Sequence, residues 1–374
     1  MLGLAVLARM GSGPKSRRGA MRIEPVIDEW LGPGEKDGKI IPLAPRENAW
    51  HPEARSSRYY GEWWYFDARL DDGHVVVGFL QASELMSRKP GIELHVYRPD
   101  GQKLSVVKKF THQQLRASTE KCDVWVGDNH CHAEFPEGSN LPVHYLHICE
   151  EGMEADLTFR SQVPGWKPGK GLTRYGDRGY FAWVVPAPRA VVEGTVRYDN
   201  TTLQARGTGY HDHNVVTADM RRILSFWYWG RLYTEEHTLL YAYVKTNRRF
   251  GGKASRPLML ARGGEVVLSS GEMRLREGPP VFHPAANRTY PSFLEMEIPG
   301  RVFLRLDVKR IIDANDFLSE LNPVIMNPAV KWVVNRFMRP GWFRFESDFQ
   351  LRVQHEDRSC EERGTTLHEM VALR

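Results

Sequence analysis

The chain lacks the short motifs by which many enzymes can be recognised. It has no Gly-x-Ser-x-Gly elbow, no P-loop, no His-Glu-x-x-His and no Gly-x-Gly-x-x-Gly joining a strand to a helix. The lone Gly207-x-Gly209 precedes a His-rich strand, so it is not a dinucleotide site. Cysteine is scarce, with 4 in 374 residues (Cys122, Cys131, Cys149, Cys360) and no CxxC spacing. That excludes a disulfide scaffold and reads as free thiols in a reducing compartment, so a cytoplasmic location is expected. Long apolar runs are missing too. The opening LGLAVLA has its basic residues after it, the wrong order for a secretory signal, and is far too short to span a bilayer. Excess charge is confined to the start. Arg9, Lys15, Arg17, Arg18 and Arg22 stand without an acid in residues 1–23 and equal the formal net charge of +5, so the remainder is neutral. A nucleic-acid footprint is therefore not expected.

Aromatic residues are what the chain has in plenty, with 11 Trp, 14 Tyr and 16 Phe in a sequence 41% hydrophobic, which excludes disorder. From Tyr60 to about Thr366 it runs in short alternating stretches broken by Gly, Pro, Asn and Asp. HVVVGFL (74–80), IELHVYR (92–98), LPVHYLHI (141–148), FAWVVP (181–186), AVVEGTVRY (190–198), HTLLYAYV (237–244) and FRFESDFQLRVQ (343–354) all read as strands. Many short strands at this spacing predict an all-β barrel or sandwich. A helix is expected only over 316–338, where Val330, Val333, Val334 and Phe337 recur at helical spacing. Residues 164–179, rich in Gly and Pro, read as a long mobile loop.

Residues 62–81 also overlie 225–244 without a gap, pairing Trp64 with Trp227, Tyr65 with Tyr228 and His74 with His237. A repeat at domain length means duplication rather than a solenoid. The expected layout is a leader over 1–40 (with Met21 as a candidate start), one β domain over 41–210 and a second over 211–374.

The densest chemical cluster is GTGYHDHN, Gly207 to Asn214. On a strand His211 and His213 share one face, while Tyr210, Asp212 and Asn214 share the other. His-x-His can supply half of a metal site, but no third ligand stands at useful spacing, so no metal and no cofactor is expected. The bland reading makes these residues hydrogen-bonded structural groups. The sharper one makes His213 or Asp212 a proton donor in an apolar cavity, where burial shifts pKa values towards neutrality. The aromatic strands come next. Trp63, Tyr65 and Asp67 share a face, as do Glu62, Trp64 and Phe66; Trp227 and Trp229 share one in the second copy. Such rings fill cores by default, yet indoles at this density also line ligand cavities and stabilise cations. Arg231 is a candidate anchor for a polar ligand end, and Tyr241 and Tyr243 are candidate donors.

GEWWYFDA (61–68), GTGYHDHN (207–214) and WYWGRLY (227–233) together resemble the carotenoid 1,2-hydratase (hydroxyneurosporene synthase, CrtC-like) family and its AttH-like relatives, over roughly residues 58–366. The resemblance implies two lipocalin-like barrels in tandem with a ligand cavity near their junction. It implies cofactor-free chemistry on isoprenoids or polyenes, as hydratase, isomerase or cyclase, some members being Diels–Alderases. Carried over, it implies His211, Asp212, His213 and Tyr241 as catalytic residues. Trp64, Tyr65, Tyr210, Asn214, Trp227, Trp229, Arg231 and Tyr243 would contact the substrate. Two departures stand out: Val215–Val216 replace the Trp and Gly common in hydratases, and Tyr241–Ala242–Tyr243 replaces an expected acid. The alternative is a lipid or pigment carrier using the cavity only to bind. A hydrophobic small molecule is the expected partner, with transient membrane-surface contact a further expectation.

Overall fold

The structure, a computed structural model, describes residues 25–28, 40–85, 87–284, 286, 288–316, 341–356 and 358–373. The expected helix over 316–338, apart from Asp316, which ends a strand, and most of the expected leader lie outside the described residues. The principal strands fall into two antiparallel sheets. The first holds β1 (Gly61–Leu70), β2 (Val75–Ser83), β3 (Gly91–Tyr97), β4 (Lys103–Lys109), β5 (Val143–Glu150), β6 (Met153–Ser161), β7 (Tyr180–Tyr198) and β8 (Thr201–Val216). The second holds β9 (Leu224–Tyr233), β10 (His237–Thr246), β11 (Leu258–Arg262), β12 (Glu265–Ser270), β13 (Phe293–Ile298), β14 (Val302–Asp316), β15 (Gly341–Gln354) and β16 (Ser359–Ala372). Their orders match: β4-β3-β2-β1-β8-β7-β6-β5 in the first and β12-β11-β10-β9-β16-β15-β14-β13 in the second. Each sheet curls into a half-barrel, giving the tandem lipocalin-like architecture the motifs implied. β8 runs unbroken across the 210–211 boundary expected from sequence, and the chain changes sheets between Val216 and Leu224.

The shared order also re-registers the repeat. In the first hairpin the Leu70 amide donates to the His74 carbonyl; in the second the Thr234 amide donates to the His237 carbonyl. The second turn is thus one residue shorter. His74 still matches His237, but Leu70 matches Thr234, and along the first strands Trp63 matches Trp227, Tyr65 matches Trp229 and Asp67 matches Arg231. The gapless overlay had put Trp64 on Trp227, which point to opposite sides of their sheets.

Two stretches expected as separate strands, 181–186 and 190–198, are one long strand, β7, paired throughout with β8. Register shifts between Val184 and Ala190 absorb Pro186 and Pro188, which cannot donate to the ladder. Gly209 is required by closeness: a β-carbon there would lie 2.5 Å from Val192 Cγ2 and 2.8 Å from the Asp67 carbonyl oxygen.

Alternation along the strands then builds three apolar regions. The first half-barrel encloses Trp64, Phe66, Leu80, Ile92, Leu94, Leu146 and Phe159. The second encloses Tyr228, Leu239, Tyr241, Leu260, Leu304, Phe343 and Phe345. A third cluster joins the outer faces of both sheets, with Tyr65, Trp166, Trp183, Val185 and Tyr210 from one and Leu240, Ala242, Val244, Met259 and Val371 from the other. The 164–179 stretch, expected as a mobile loop, is anchored here. Trp166 is fully buried, pairs its backbone with Val185 and donates its indole N–H to Ser269 Oγ of the second sheet (3.0 Å).

Candidate active site

The candidate cavity lies in that third region, between the sheets rather than inside either half-barrel. An apolar chamber of about 380 Å³ is walled by Trp63, Tyr65, Phe79, Phe181, Trp183, Asp212 and Asn214 of the first half. Trp227, Trp229, Ala242, Val244, Trp342, Glu369 and Val371 of the second half complete it. A more polar chamber of about 590 Å³ shares Tyr65, Trp229 and Glu369 with it and adds Asp67, Arg189, Arg231, Tyr233 and Arg344. A ligand with an apolar body and one polar end suits this pair of spaces.

The strand register explains who faces the chamber. In β8, Asp212 stands opposite Tyr65 and Asn214 opposite Trp63 and Trp183, so all five side chains lie on the junction face. Asp212 is the chamber's buried acid. Its Oδ2 accepts from the Tyr210 hydroxyl (2.8 Å) and the Trp183 indole N–H (3.1 Å), and its Oδ1 from Asn214 Nδ2 (2.7 Å). Burial outweighs these donors and pushes its pKa up to about 7, with nearby Asp67 adding to the rise. By the corrected register Glu369 is Asp212's counterpart: Tyr65 pairs with Asp212 and its match Trp229 pairs with Glu369. The two carboxyls share the chamber but not their chemistry, since Glu369 is ion-paired with Arg344 (2.6 Å) and Asp212, among the described residues, forms no ion pair.

His211 and His213 occupy the other face, inside the first half-barrel. His211 stacks on Phe66 (3.9 Å between centroids, 3° between planes), donates from Nδ1 to the Tyr65 carbonyl (2.9 Å) and accepts from Asn48 Nδ2 at Nε2 (3.1 Å). Burial holds it neutral, well below the usual histidine range, with His144 nearby adding to the effect. His213 stacks on Trp64 (4.5 Å) and its Nε2 meets Glu62 Oε1 (3.0 Å). Burial lowers its pKa against the pull of Glu62. Glu62, His51 and His213 come within metal-ligand distance, but the carboxylate is already committed. It accepts from His213, from His51 Nδ1 (3.2 Å) and its backbone N–H (3.0 Å), and from the Tyr60 hydroxyl (2.5 Å). Burial pushes Glu62 upward, yet those histidine hydrogen bonds hold it below the ordinary value.

Of the residues predicted for the site, Tyr65, Asp212, Asn214, Trp227 and Trp229 line the apolar chamber. Arg231 lines the polar one, paired with Asp67 and stacked over Tyr210 (4.7 Å) and Trp229 (5.4 Å). Tyr210 stands behind the wall, fully buried, holding Asp212. Five expectations are redirected. His211, His213 and Trp64 face the first half-barrel's interior because β1 and β8 alternate, and Trp63 takes the place expected of Trp64. Tyr241 points into the second half-barrel's core and Tyr243 packs against Phe226 and Tyr228, because Ala242 and Val244 are the residues of β10 on the junction face. Sequence reasoning missed Trp183 and Trp342, which signal only as strand aromatics, and Glu369, which follows from the duplication once the register is corrected. Glu369 also supplies an acid to the cavity from β16, where β10 has none.

Comparison with known proteins follows the same outline. No family model matches the chain. A curated protein named hydroxyneurosporene dehydrogenase, from Chlorobaculum tepidum, is 23% identical over 345 residues, 79% of this chain and 86% of its own. The chain is thus similar in sequence to a CrtC-like protein and in fold to AttH-like ones. Solved structures of the same fold include the AttH candidate of Nitrosomonas europaea (TM-score 0.59, 13% identity, 91% of this chain and 98% of the other). CghA, solved with Sch210972, matches with a TM-score of 0.60 at 13% identity over 84% and 89%. Kievitone hydratase from Nectria haematococca matches with 0.53 at 13% over 94% and 98%. Among the described residues, no helix is long and apolar enough to cross a membrane.

Proposed function

We propose that this protein is an acid–base enzyme acting on a hydrophobic isoprenoid or polyene held in the junction chamber, with Asp212 as the proton donor. The observation that carries this reading is a carboxyl with a pKa of about 7 on the wall of a tryptophan-lined cavity. A general acid works best when its pKa lies near the working pH. The donors Tyr210, Trp183 and Asn214 favour the carboxylate over the acid, so they stabilise Asp212 most after its proton has left. The proton passes from the Asp212 carboxyl to one alkene carbon; the π bond breaks, a C–H bond forms and the cation rests against Trp63, Trp183, Trp227 and Trp229. Water then bonds to the cationic carbon and returns its extra proton to Asp212, while Glu369 is placed to orient that water. The solved structure named kievitone hydratase favours addition of water, and the curated relative, named hydroxyneurosporene dehydrogenase, favours an isoprenoid substrate.

The test is incubation in deuterated water with an acyclic carotene and a prenylated phenol, followed by mass spectrometry of the products. Deuterium at an alkene carbon, lost in Asp212→Asn, supports the proposal. Tight binding of both probes, seen as tryptophan quenching, with no turnover would favour a carrier, the reading encouraged by the structural role of both histidines.

A further inference from the structure

The duplication allows each residue of one half to be compared with its counterpart, and one end of the second half carries donors that the first lacks. In the first half, His74 Nε2 meets the Tyr198 hydroxyl (3.0 Å). The matching end of the second half has His237, whose Nε2 lies 3.3 Å from His355 Nε2. Pairing of Val196 with Leu203 and of Val353 with Cys360 sets the correspondence of the neighbouring strands. His355 replaces Tyr198, Cys360 replaces Leu203 and Glu362 replaces Ala205. A phenol, an aliphatic and a methyl have become an imidazole, a thiol and a carboxylate around the same histidine.

We infer that this cluster is a site for a divalent transition metal of the zinc class, liganded by His237, His355, Cys360 and Glu236. Donor atoms of Glu236, His237 and Cys360 all lie within 4.8 Å of one another. The two imidazole nitrogens stand 3.3 Å apart, the spacing of about 3.3–3.4 Å that two ligands at zinc–nitrogen distance take at adjacent corners of a tetrahedron. His237 is fully buried, and its Nδ1 donates to Glu362 Oε2 (2.6 Å), which leaves the lone pair on Nε2 aimed at His355. A carboxylate behind a ligating histidine is the usual outer support of such a site. Glu236, now ion-paired with Arg358 (2.8 Å), would exchange that partner for the ion. The cluster sits on the β9–β10 and β15–β16 turns, outside the lining of the apolar chamber that holds Asp212, while the neighbouring Thr234 and Glu235 line the polar one. An ion there would pin two hairpin ends together, a structural role that leaves the proposed chemistry untouched.

The test uses the full chain, stripped with a chelator and titrated with Co2+ and then Zn2+. One equivalent of Co2+ is expected to give tetrahedral ligand-field bands with a cysteinate charge-transfer band, displaced by Zn2+, and Zn2+ is expected to raise the melting temperature. Cys360→Ser should abolish the charge-transfer band, and His355→Gln should weaken binding by roughly tenfold or more. Both substitutions fall on a half-exposed hairpin end, and far-ultraviolet circular dichroism verifies their folds; should either fail to fold, Glu236→Gln is titrated in its place with the same expected loss of affinity. Absence of saturable uptake at stoichiometric concentration overturns the inference. So does an unchanged charge-transfer band in Cys360→Ser, which would place the ion on another thiol.

Discussion

Asp67 and Arg231 occupy the same position in the two copies of the repeat and pair with each other across the junction. The duplicated strand thus meets its own copy through a residue that has diverged to the opposite charge. Arg231 is buried, and although burial works against its charge, Asp67 raises its pKa further. Removing one partner of a buried pair strands the other, so Arg231→Met should cost about 3–5 kcal/mol in urea denaturation. The double variant with Asp67→Asn should recover much of that loss. Equal destabilisation in single and double variants would show that the pair is not what joins the halves.

Asp212 should set the alkaline limb of activity. With its pKa at about 7, kcat/KM should fall tenfold per pH unit above neutrality as the acid form is depleted. Asp212→Asn should lower kcat by roughly 10²- to 10⁴-fold while ligand quenching persists. Undiminished turnover in that variant would move the chemistry elsewhere.

The same group makes a stability prediction of defined sign. Its folded pKa lies above the carboxylate value of 3.8. Between about pH 4 and 7 the native state therefore binds the extra proton, and stability falls as pH rises through that window. The full span, near three units, corresponds to roughly 4 kcal/mol. Asp212→Asn should flatten the curve there; an unchanged slope would assign it to other groups.

Neighbouring tryptophans should separate packing from binding. Trp64 is fully buried among Phe66 and His213, so Trp64→Ala should cost about 3–5 kcal/mol with little change in ligand affinity at temperatures where the fold survives. Trp63→Ala, on the chamber wall, should do the reverse. Isothermal denaturation paired with fluorescence titration reads both, and equal effects on binding would contradict the alternation of β1.

The sequence by itself determined the all-β class, the duplication and the two faces of β1, β8 and β9. These rest on local physics: alternation with period two, turn residues between runs, and the limited places a tryptophan can go. Asp212, Tyr65, Asn214, Trp227 and Trp229 were legible for that reason. Which face of each strand meets the other half was not legible, because alternation sets two faces without naming the inner one. Tertiary structure decided that His211 and His213 pack inside a half-barrel while Asp212 looks out. A one-residue difference in turn length hid the match of Trp63 with Trp227 and of Asp212 with Glu369, and only the backbone pairing restored it. The donors around Glu62 and around His237 were invisible for a further reason: their members lie far apart in the chain, and spacing along a sequence carries no record of which strand ends meet.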